Sequence, residues 1–185
     1  MFTLRLIRIN RIKHLLDRKT LPLLINAFVF RKLFYCSTLW SNTSTTNIKK
    51  LHLFYFNSLL QLFQNYAGRT VLGLRKYDHI FEGLKSLRWL PIADKLLLND
   101  SVMVHKSLNG RAQGYLRRKF TRRQAHHDRN TPYKKDLNLP RRRLKTGRRS
   151  FAFRGATSWN KLPKDIKEVA NCRILKKRFT NMFLK

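Results

Sequence analysis

Clusters of lysine and arginine are the residues of this sequence with the clearest chemistry. From 111 to 150 the chain carries fifteen Lys and Arg residues against two Asp. Cations at this density neutralise phosphates and release counterions, which gives an affinity that falls with salt and depends little on base sequence. The predicted nucleic-acid-binding residues are the clustered cations and one tyrosine among them: Arg117, Arg118, Lys119, Arg122, Arg123, Lys134, Lys135, Arg141, Arg142, Arg143, Arg148, Arg149 and Tyr133.

Aromatic residues are interleaved with these clusters. Aromatic rings next to cations can stack on unpaired bases. The same rings could instead pack on the helical part of the chain, and the sequence leaves both roles open, with Tyr133 expected to be the freest. The aromatic residues concerned are Tyr115, Phe120, Tyr133, Phe151 and Phe153.

Metal-binding and nucleophilic chemistry have little support. Cys36 and Cys172 are single and far apart, so they build neither a disulfide framework nor a zinc knuckle. Cys36 stands in an apolar run and is expected to be a small buried side chain. His126, His127 and Asp128 are adjacent on a basic loop, where they converge badly and nearby arginines repel cations. No catalytic residue, metal ligand, cofactor or small-molecule substrate is therefore predicted.

The overall composition favours a polyanion as the partner. Lys and Arg number 41 against 9 Asp and Glu, which gives a net charge of +32 over 185 residues. Such a chain attracts nucleic acid first and anionic membrane surfaces second. Its longest apolar run, 21–30, is too short to span a bilayer. Hydrophobic residues make up 43% of the chain, enough for one modest domain or two small ones.

Apolar periodicity and helix-stop signals predict the elements that must position these groups. The spacing predicts helices over 2–16, 23–35 and 47–67, with Gly68 and Gly73 interrupting the third. Another amphipathic helix is predicted to begin near Pro91, which suits a first turn, and to stop at Asn109-Gly110. A last helix is expected in the tail. The predicted fold class is mainly α.

Several motifs resemble a known family. L-R-W-L-P at 87–91, followed by H-K-S-L-N-G-R-A-Q-G-Y-L at 105–116, resembles the segment beyond the polymerase core in non-LTR (LINE-type) retrotransposon reverse transcriptases. Y-C-S-T-L-W-S-N, L-F-Q-N-Y-A-G-R-T-V-L-G and A-T-S-W-N-K-L-P-K-D-I-K resemble further elements of that family, in the family's order. Gln113 stands where proline is usual. The structural motif residues carried over are Tyr35, Trp40, Gln64, Asn65, Arg69, Trp89, Pro91, Gly110, Trp159 and Pro163.

The resemblance implies a polymerase whose chemistry lies elsewhere. The family holds Mg²⁺ with an aromatic-x-Asp-Asp turn of its palm, and the nine acids of this sequence include no adjacent pair. The resemblance therefore implies a non-catalytic C-terminal fragment without palm or endonuclease. Residues 1–110 would be a helical thumb-like bundle, 111–150 a basic and partly disordered linker, and 151–185 a helical tail. The implied partner is RNA or an RNA/DNA duplex, and the oligomeric state stays open.

Two alternatives to this reading remain. The chain could be a small basic nucleic-acid-binding protein, such as a mitochondrial ribosome-associated factor, with its Arg-rich first 16 residues serving as a targeting signal. It could also be an aberrant reading frame without selected function that folds only in part. A nuclear or cytoplasmic location is expected under the first reading, and a mitochondrial one under the first alternative.

Overall fold

The computed structural model describes residues 2–40, 51–125 and 135–184, with side chains at 4–39, 58–125 and 135–184. This part of the chain is mainly α-helical, and its one extended pairing is an isolated antiparallel bridge between Arg122 and Leu137. The predicted fold class, mainly α, is therefore confirmed.

The helices of the described chain range from a single turn to 22 residues. A π-helical turn at Asn26–Phe30 joins the second helix to the third, and 3₁₀ turns lie at Lys13–Leu15 and Arg123–Ala125. The α-helices of the described residues are, in chain order, α1 Phe2–Ile12, α2 Thr20–Ile25, α3 Arg31–Leu33, α4 Ser37–Trp40, α5 Leu51–Leu72, α6 Phe81–Ser86, α7 Ile92–Leu108, α8 Gly114–Arg117, α9 Lys145–Arg148, α10 Phe151–Asn160, α11 Lys164–Lys167 and α12 Cys172–Phe183.

The chain divides into two compact units. The N-terminal unit comprises Met1–Ser37 and Thr45–Lys95, with Leu184, and the C-terminal unit comprises Thr38–Ser44 and Leu96–Phe183, with Lys185. The boundary between Lys95 and Leu96 falls inside α7. The predicted division at 110 and 150 stays a prediction.

The core of the N-terminal unit is built on the segment from α2 to α3. Its aliphatic side chains recur every three to four residues, so one face of the helical segment is buried. Trp89 lies edge-on to Phe30, with ring centroids 4.9 Å apart. The core side chains of this unit include Leu6, Ile9, Leu21, Ile25, Val29, Phe30, Leu33, Leu60, Ile80, Leu84, Trp89 and Leu90.

Helix α5 extends beyond its predicted end. The prediction that Gly68 interrupts this helix is wrong, because α5 continues to Leu72 and ends only at Gly73, where φ is +70°. A Cβ atom at Gly68 would lie 3.0 Å from Cδ2 of Leu84 and 3.3 Å from Cδ1 of Ile80. Gly68 therefore provides space for the segment at the start of α6. The predicted first turns of this helix, before Leu51, lie outside the described residues.

Backbone hydrogen bonds close the end of α6 and turn the chain toward Trp89. The N–H of Trp89 donates to the carbonyl of Leu84, and the N–H of Arg88 donates to that of Lys85. This pair of bonds is a Schellman motif, in which the residue after the C-cap adopts left-handed geometry. Arg88 takes that position with φ +56°, although glycine is the usual occupant. The turn fixes the entry of Trp89 into the core.

Helix α7 runs from Ile92 to Leu108, close to its predicted bounds. It ends as proposed at Gly110, where φ is +72° and the next N–H, of Arg111, donates to the carbonyl of Lys106. Burial along α7 does not follow its apolar residues alone, because Met103 and Leu108 are only half-buried. Polar side chains of the C-terminal unit are buried instead, namely Asp100, Ser101, His105 and Ser107.

The cysteine prediction is corrected. Cys36 is exposed, whereas the apolar run around it suggested burial. It lies in the turn after α3 with φ +50°, and a turn residue with this backbone faces the surface more readily than a core.

Candidate nucleic-acid interface

Helices α7 and α10 form the scaffold of the C-terminal unit, and small residues let them approach closely. Ala152, Gly155 and Ala156 are all buried on α10. A Cβ atom at Gly155 would lie 3.0 Å from Val104 and 3.3 Å from the ring of Phe120. Phe120, in the basic region, is thereby packed against the scaffold. Such close packing leaves little room for sliding between these elements.

A buried ion pair joins α7 to α10. Nε of Arg154 lies 3.0 Å from Oδ2 of Asp100, and Nη2 of Arg154 donates to the carbonyl of Thr38 at 2.7 Å. Burial raises the pKa of Asp100 to about 6, and the charge of Arg154 opposes this rise. Because a buried charge without a partner is costly, each side chain holds the other in place.

A histidine links α7 to the segment after α11. Nε2 of His105 lies 2.6 Å from the carbonyl oxygen of Val169, and the His105 side chain is buried. A carbonyl oxygen only accepts, so the tautomer with hydrogen on Nε2 makes this bond; Nδ2 of Asn109 lies 2.9 Å from the same nitrogen. The bond positions the start of the tail.

The basic region is anchored through the amide of Asn160. Its Nδ2 donates to the carbonyl of Leu137 at 2.9 Å, and its Oδ1 accepts from the N–H of Leu137 at 2.8 Å. Leu137 is fully buried. The N–H of Arg123 donates to the carbonyl of Asp136, so the segment around Arg122 runs beside 135–138. These bonds hold the described residues before 126 and after 134 to each other and to α10.

Two further ion pairs neutralise acids of the same unit. Nζ of Lys167 lies 2.9 Å from Oδ1 of Asp136, where both side chains are largely buried. Nζ of Lys135 lies 2.5 Å from Oε1 of Glu168 at the surface. The hydrogen bond and charge of Lys135 lower the pKa of Glu168. Together with the Asp100–Arg154 pair, these contacts engage three carboxylates of the unit in ion pairs within the chain.

Most predicted nucleic-acid-binding cations are exposed on this unit. Arg122 and Arg149 are half-buried, and Lys135 is exposed but paired with Glu168. Tyr133 and Lys134 lie outside the described residues. The exposed ones are Arg117, Arg118 and Lys119 at the end of α8, Arg123 in the 3₁₀ turn, Arg141, Arg142 and Arg143 before α9, and Arg148 within it.

The structure brings some of these clusters together. The antiparallel bridge places Arg122 and Arg123 beside Lys135. The side chain of Arg142 folds against Gly147, where a Cβ atom would lie 3.1 Å from Cδ of Arg142. The cations at 141–143 therefore lie next to α9. The described contacts thus define two cationic groups, one around 117–123 and 135, the other around 141–148.

The aromatic residues separate into two classes. Phe120 is buried and lies edge-on to Phe151, with ring centroids 5.5 Å apart, so it belongs to the core. Phe151 and Phe153 are half-buried on α10. Tyr115 is 63% exposed, two residues before Arg117. Of the described aromatic residues in this region, Tyr115 is the one available for stacking on a base.

The family-motif residues of the N-terminal unit form an internal amide cluster. Nε2 of Gln64 donates to the carbonyl of Leu90 at 2.7 Å, and Oε1 of Gln61 accepts from the N–H of Ile92 at 3.0 Å. Nε2 of Gln61 also bonds the side-chain oxygens of Gln64 and Asn65. The cluster holds the chain on either side of Pro91, which is a structural role.

The remaining motif residues differ in their surroundings. Arg69 donates to the carbonyl of Asp78, Trp159 is buried, and Pro163 is the exposed residue before α11. Tyr35 is 75% exposed. Trp40 is the last residue of α4, and its side chain is not among those that the structure describes.

Sequence reasoning did not single out two further kinds of residue in this unit. Asn160 and Arg154 anchor the unit, but their partners are distant in sequence and no local pattern marks them. The cations of α12, at 173 and 176–178, were treated as part of a structural tail. Their signal was present in the sequence, as a run of three basic residues within an amphipathic helix.

No metal site is found among the described residues, since they contain no group of three or more His, Cys, Asp or Glu side chains that could hold an ion. The triplet His126, His127 and Asp128 lies outside them. Nor does any helix in the described ranges have the length and apolarity to cross a membrane.

Comparison with known proteins found no matching family model, no matching curated protein and no matching solved structure.

Proposed function

We propose that this chain binds the phosphate backbone of RNA or DNA, largely without sequence preference, through the exposed cations of its C-terminal unit. The observation that carries the proposal is the sorting of charge in that unit. Between 96 and 183 the chain has 24 Lys and Arg residues against 5 Asp and Glu. Three of these acids are engaged in internal ion pairs, while the cations at 117–119 and 141–143 face solvent.

We further propose that the chain is a C-terminal part of a polymerase similar to the non-LTR retrotransposon reverse transcriptases, and that it has no polymerase activity alone. The sequence motifs support this origin. The hydrogen bond from Gln64 to the carbonyl of Leu90 is compatible with it, because this bond joins two of the motif segments.

A salt titration tests the binding. Fluorescently labelled RNA and DNA would be titrated with the protein from about 0.05 to 0.3 M salt, and the logarithm of the affinity should fall linearly with the logarithm of salt. An affinity that does not change with salt would refute backbone binding. Incorporation of nucleotides on a primed template with Mg²⁺ would refute the non-catalytic assignment.

Matched charge variants locate the binding surface. The variant Arg117→Gln/Arg118→Gln/Lys119→Gln should weaken binding about tenfold or more and reduce the salt slope by about two to three. The control Arg8→Gln/Arg11→Gln/Lys13→Gln removes three exposed charges from the N-terminal unit and should change both quantities little. Equal losses in the two variants would mean that only the net charge matters.

A further inference from the structure

Helix α12 is a rigid, acid-free element at the end of the C-terminal unit. The side-chain oxygen of Asn171 accepts from the N–H of Arg173 at 2.9 Å and caps its first turn. The N–H of Leu175 donates to the backbone carbonyl of Asn171. The helix contains twelve residues, which corresponds to a length of about 18 Å.

The helix has an apolar face and a cationic face. Leu175 and Phe179 are fully buried, and the ring of Phe183 stacks on Phe179 at 4.6 Å. At about 3.6 residues per turn, positions 173 and 177 lie opposite the buried residues, and position 176 lies on the flank of the helix next to Phe183. Arg173, Lys176 and Lys177 are exposed. Residues 173 and 177 are one turn apart and follow each other along the helix axis.

The cationic face keeps its charge. In the part of the chain that the structure describes, no carboxylate forms an ion pair with Arg173, Lys176 or Lys177. The neighbouring acid Glu168 is paired with Lys135. Arg178, at the edge of the face, donates instead to the backbone carbonyl of Asp165 at 2.6 Å and fixes α12 against α11.

We propose that this face, defined by Arg173, Lys176 and Lys177, binds the backbone of a nucleic-acid duplex. The inference rests on the proposed nucleic-acid binding and specifies a second surface for it. Surfaces for single strands combine cations with exposed aromatic rings on which bases stack. On α12 the aromatic rings face inward, so its exposed side has cations but no stacking ring, and duplex backbones are bound through charge. In α8, by contrast, the exposed ring of Tyr115 lies two residues before Arg117, so this region has the stacking ring that α12 lacks.

The test compares two triple variants on two probes at about 0.15 M salt. The probes are a blunt duplex of about 20 base pairs and an unstructured single strand of the same length, because both exceed the length of the helix. The variant Arg173→Gln/Lys176→Gln/Lys177→Gln should weaken duplex binding about tenfold and reduce its salt slope by about two to three. Its affinity for the single strand should stay within about threefold of wild type.

The variant at 117–119, near α8, is the internal reference. Arg178 is left unchanged in the α12 variant because it anchors α12 to α11. If wild type binds neither probe in a salt-dependent way, the proposed function itself fails. If the α8 variant loses binding but the α12 variant matches the control at positions 8, 11 and 13, only the α12 surface is refuted. Equal loss on both probes would refute its duplex preference.

A vesicle arm addresses the other polyanionic surface. Vesicles containing anionic phosphatidylserine would be compared with neutral phosphatidylcholine vesicles. If the α12 variant lost vesicle binding while keeping full duplex affinity, the cationic face would be a membrane contact and the proposal would be overturned. Circular dichroism and thermal melting equal to wild type would show that the variant is folded.

Discussion

The two units of this chain are stabilised in different ways. The N-terminal unit packs aliphatic and aromatic side chains, and it leaves large apolar residues such as Leu15, Leu23 and Tyr77 more than 60% exposed. Between 96 and 183, the described chain exposes Tyr115, Leu144 and Ile174, and its other large apolar residues are buried or half-buried. The C-terminal unit also contains the buried ion pairs, at Asp100–Arg154 and Asp136–Lys167.

This contrast explains how a strongly basic unit can fold. Its excess cations repel each other and destabilise a compact state. Pairing the acids inward lets them hold helices and loops together, while the unpaired cations remain at the surface. The stability of the C-terminal unit should therefore depend on pH, and that of the N-terminal unit should depend on apolar packing and neutral amides.

The largest expected effect follows from Arg154→Met. This change leaves Asp100 buried without its cation and should cost about 3 kcal/mol of unfolding free energy at pH 7. Burial already raises the pKa of Asp100 to about 6, and loss of Arg154 should raise it further. A raised carboxyl pKa means that the folded state binds the proton more tightly than the unfolded state does. The free energy of unfolding therefore falls as pH rises from the ordinary pKa of Asp toward the raised pKa of the folded state.

The pH dependence of this loss is its critical feature. Urea unfolding should give a smaller deficit at pH 5, where Asp100 is protonated in both proteins, than at pH 7. In an Asp100→Asn background the cost of Arg154→Met should not change with pH. An equal deficit at both pH values in the native background would contradict the role of the ion pair.

A smaller loss is expected from Asn160→Ala. The change leaves the N–H and carbonyl of the buried Leu137 without partners, which should cost about 2 kcal/mol. Amide hydrogen exchange at Leu137 should become faster, because the segment is released from the scaffold. Asn138→Ala, in the same segment but with an exposed side chain, should leave this exchange rate unchanged. Similar rates in both variants would show that Asn160 does not anchor the segment.

The corresponding change in the N-terminal unit is Gln64→Ala. It leaves the buried carbonyl of Leu90 unpaired and should cost about 1.5 kcal/mol. Because the cluster is neutral, this loss should be the same at pH 5 and pH 7. Asn65→Ala, whose side chain is half-buried, should cost less. A loss from Gln64→Ala that depends strongly on pH would remove the contrast between the two units.

The smallest effect has the opposite sign. Arg88→Gly should stabilise the protein by about 0.5 kcal/mol, because glycine adopts the left-handed backbone of the α6 turn without strain. Lys85→Gly, inside the same helix, should destabilise by about 1 kcal/mol. Thermal melting of the two variants should therefore shift in opposite directions. A lower melting temperature for Arg88→Gly would show that the arginine side chain outweighs the backbone strain.

Local features were predictable from the sequence where backbone chemistry decides them. Pro91 and Gly110 bracket α7 because proline suits a helix start and glycine suits a left-handed stop. Gly68 was misread as a stop, since its role depends on Leu84 and Ile80, which pack beside it. The exposed position of Cys36 was also missed, because the apolar run around it does not reveal a left-handed turn.

The candidate site was predictable only as a charge density. The clusters at 117–119 and 141–143 are visible in the sequence, and they are exposed in the structure. The sequence does not distinguish Lys135, which pairs with Glu168, from its exposed neighbours. It also does not show that Phe120 belongs to the core while Tyr115 faces solvent, because both are aromatic residues beside cations.

From the sequence alone, the helical fold class and the strongly basic charge could be read, because periodicity acts locally and charge is additive; the polyanionic partner is a prediction from that charge. Only the tertiary structure decided which charges remain free. Asp100 meets Arg154 across 54 positions and Asp136 meets Lys167 across 31, and such pairs exist only once the helices pack. Folding therefore separates the cations that hold the unit together from those that can bind phosphate.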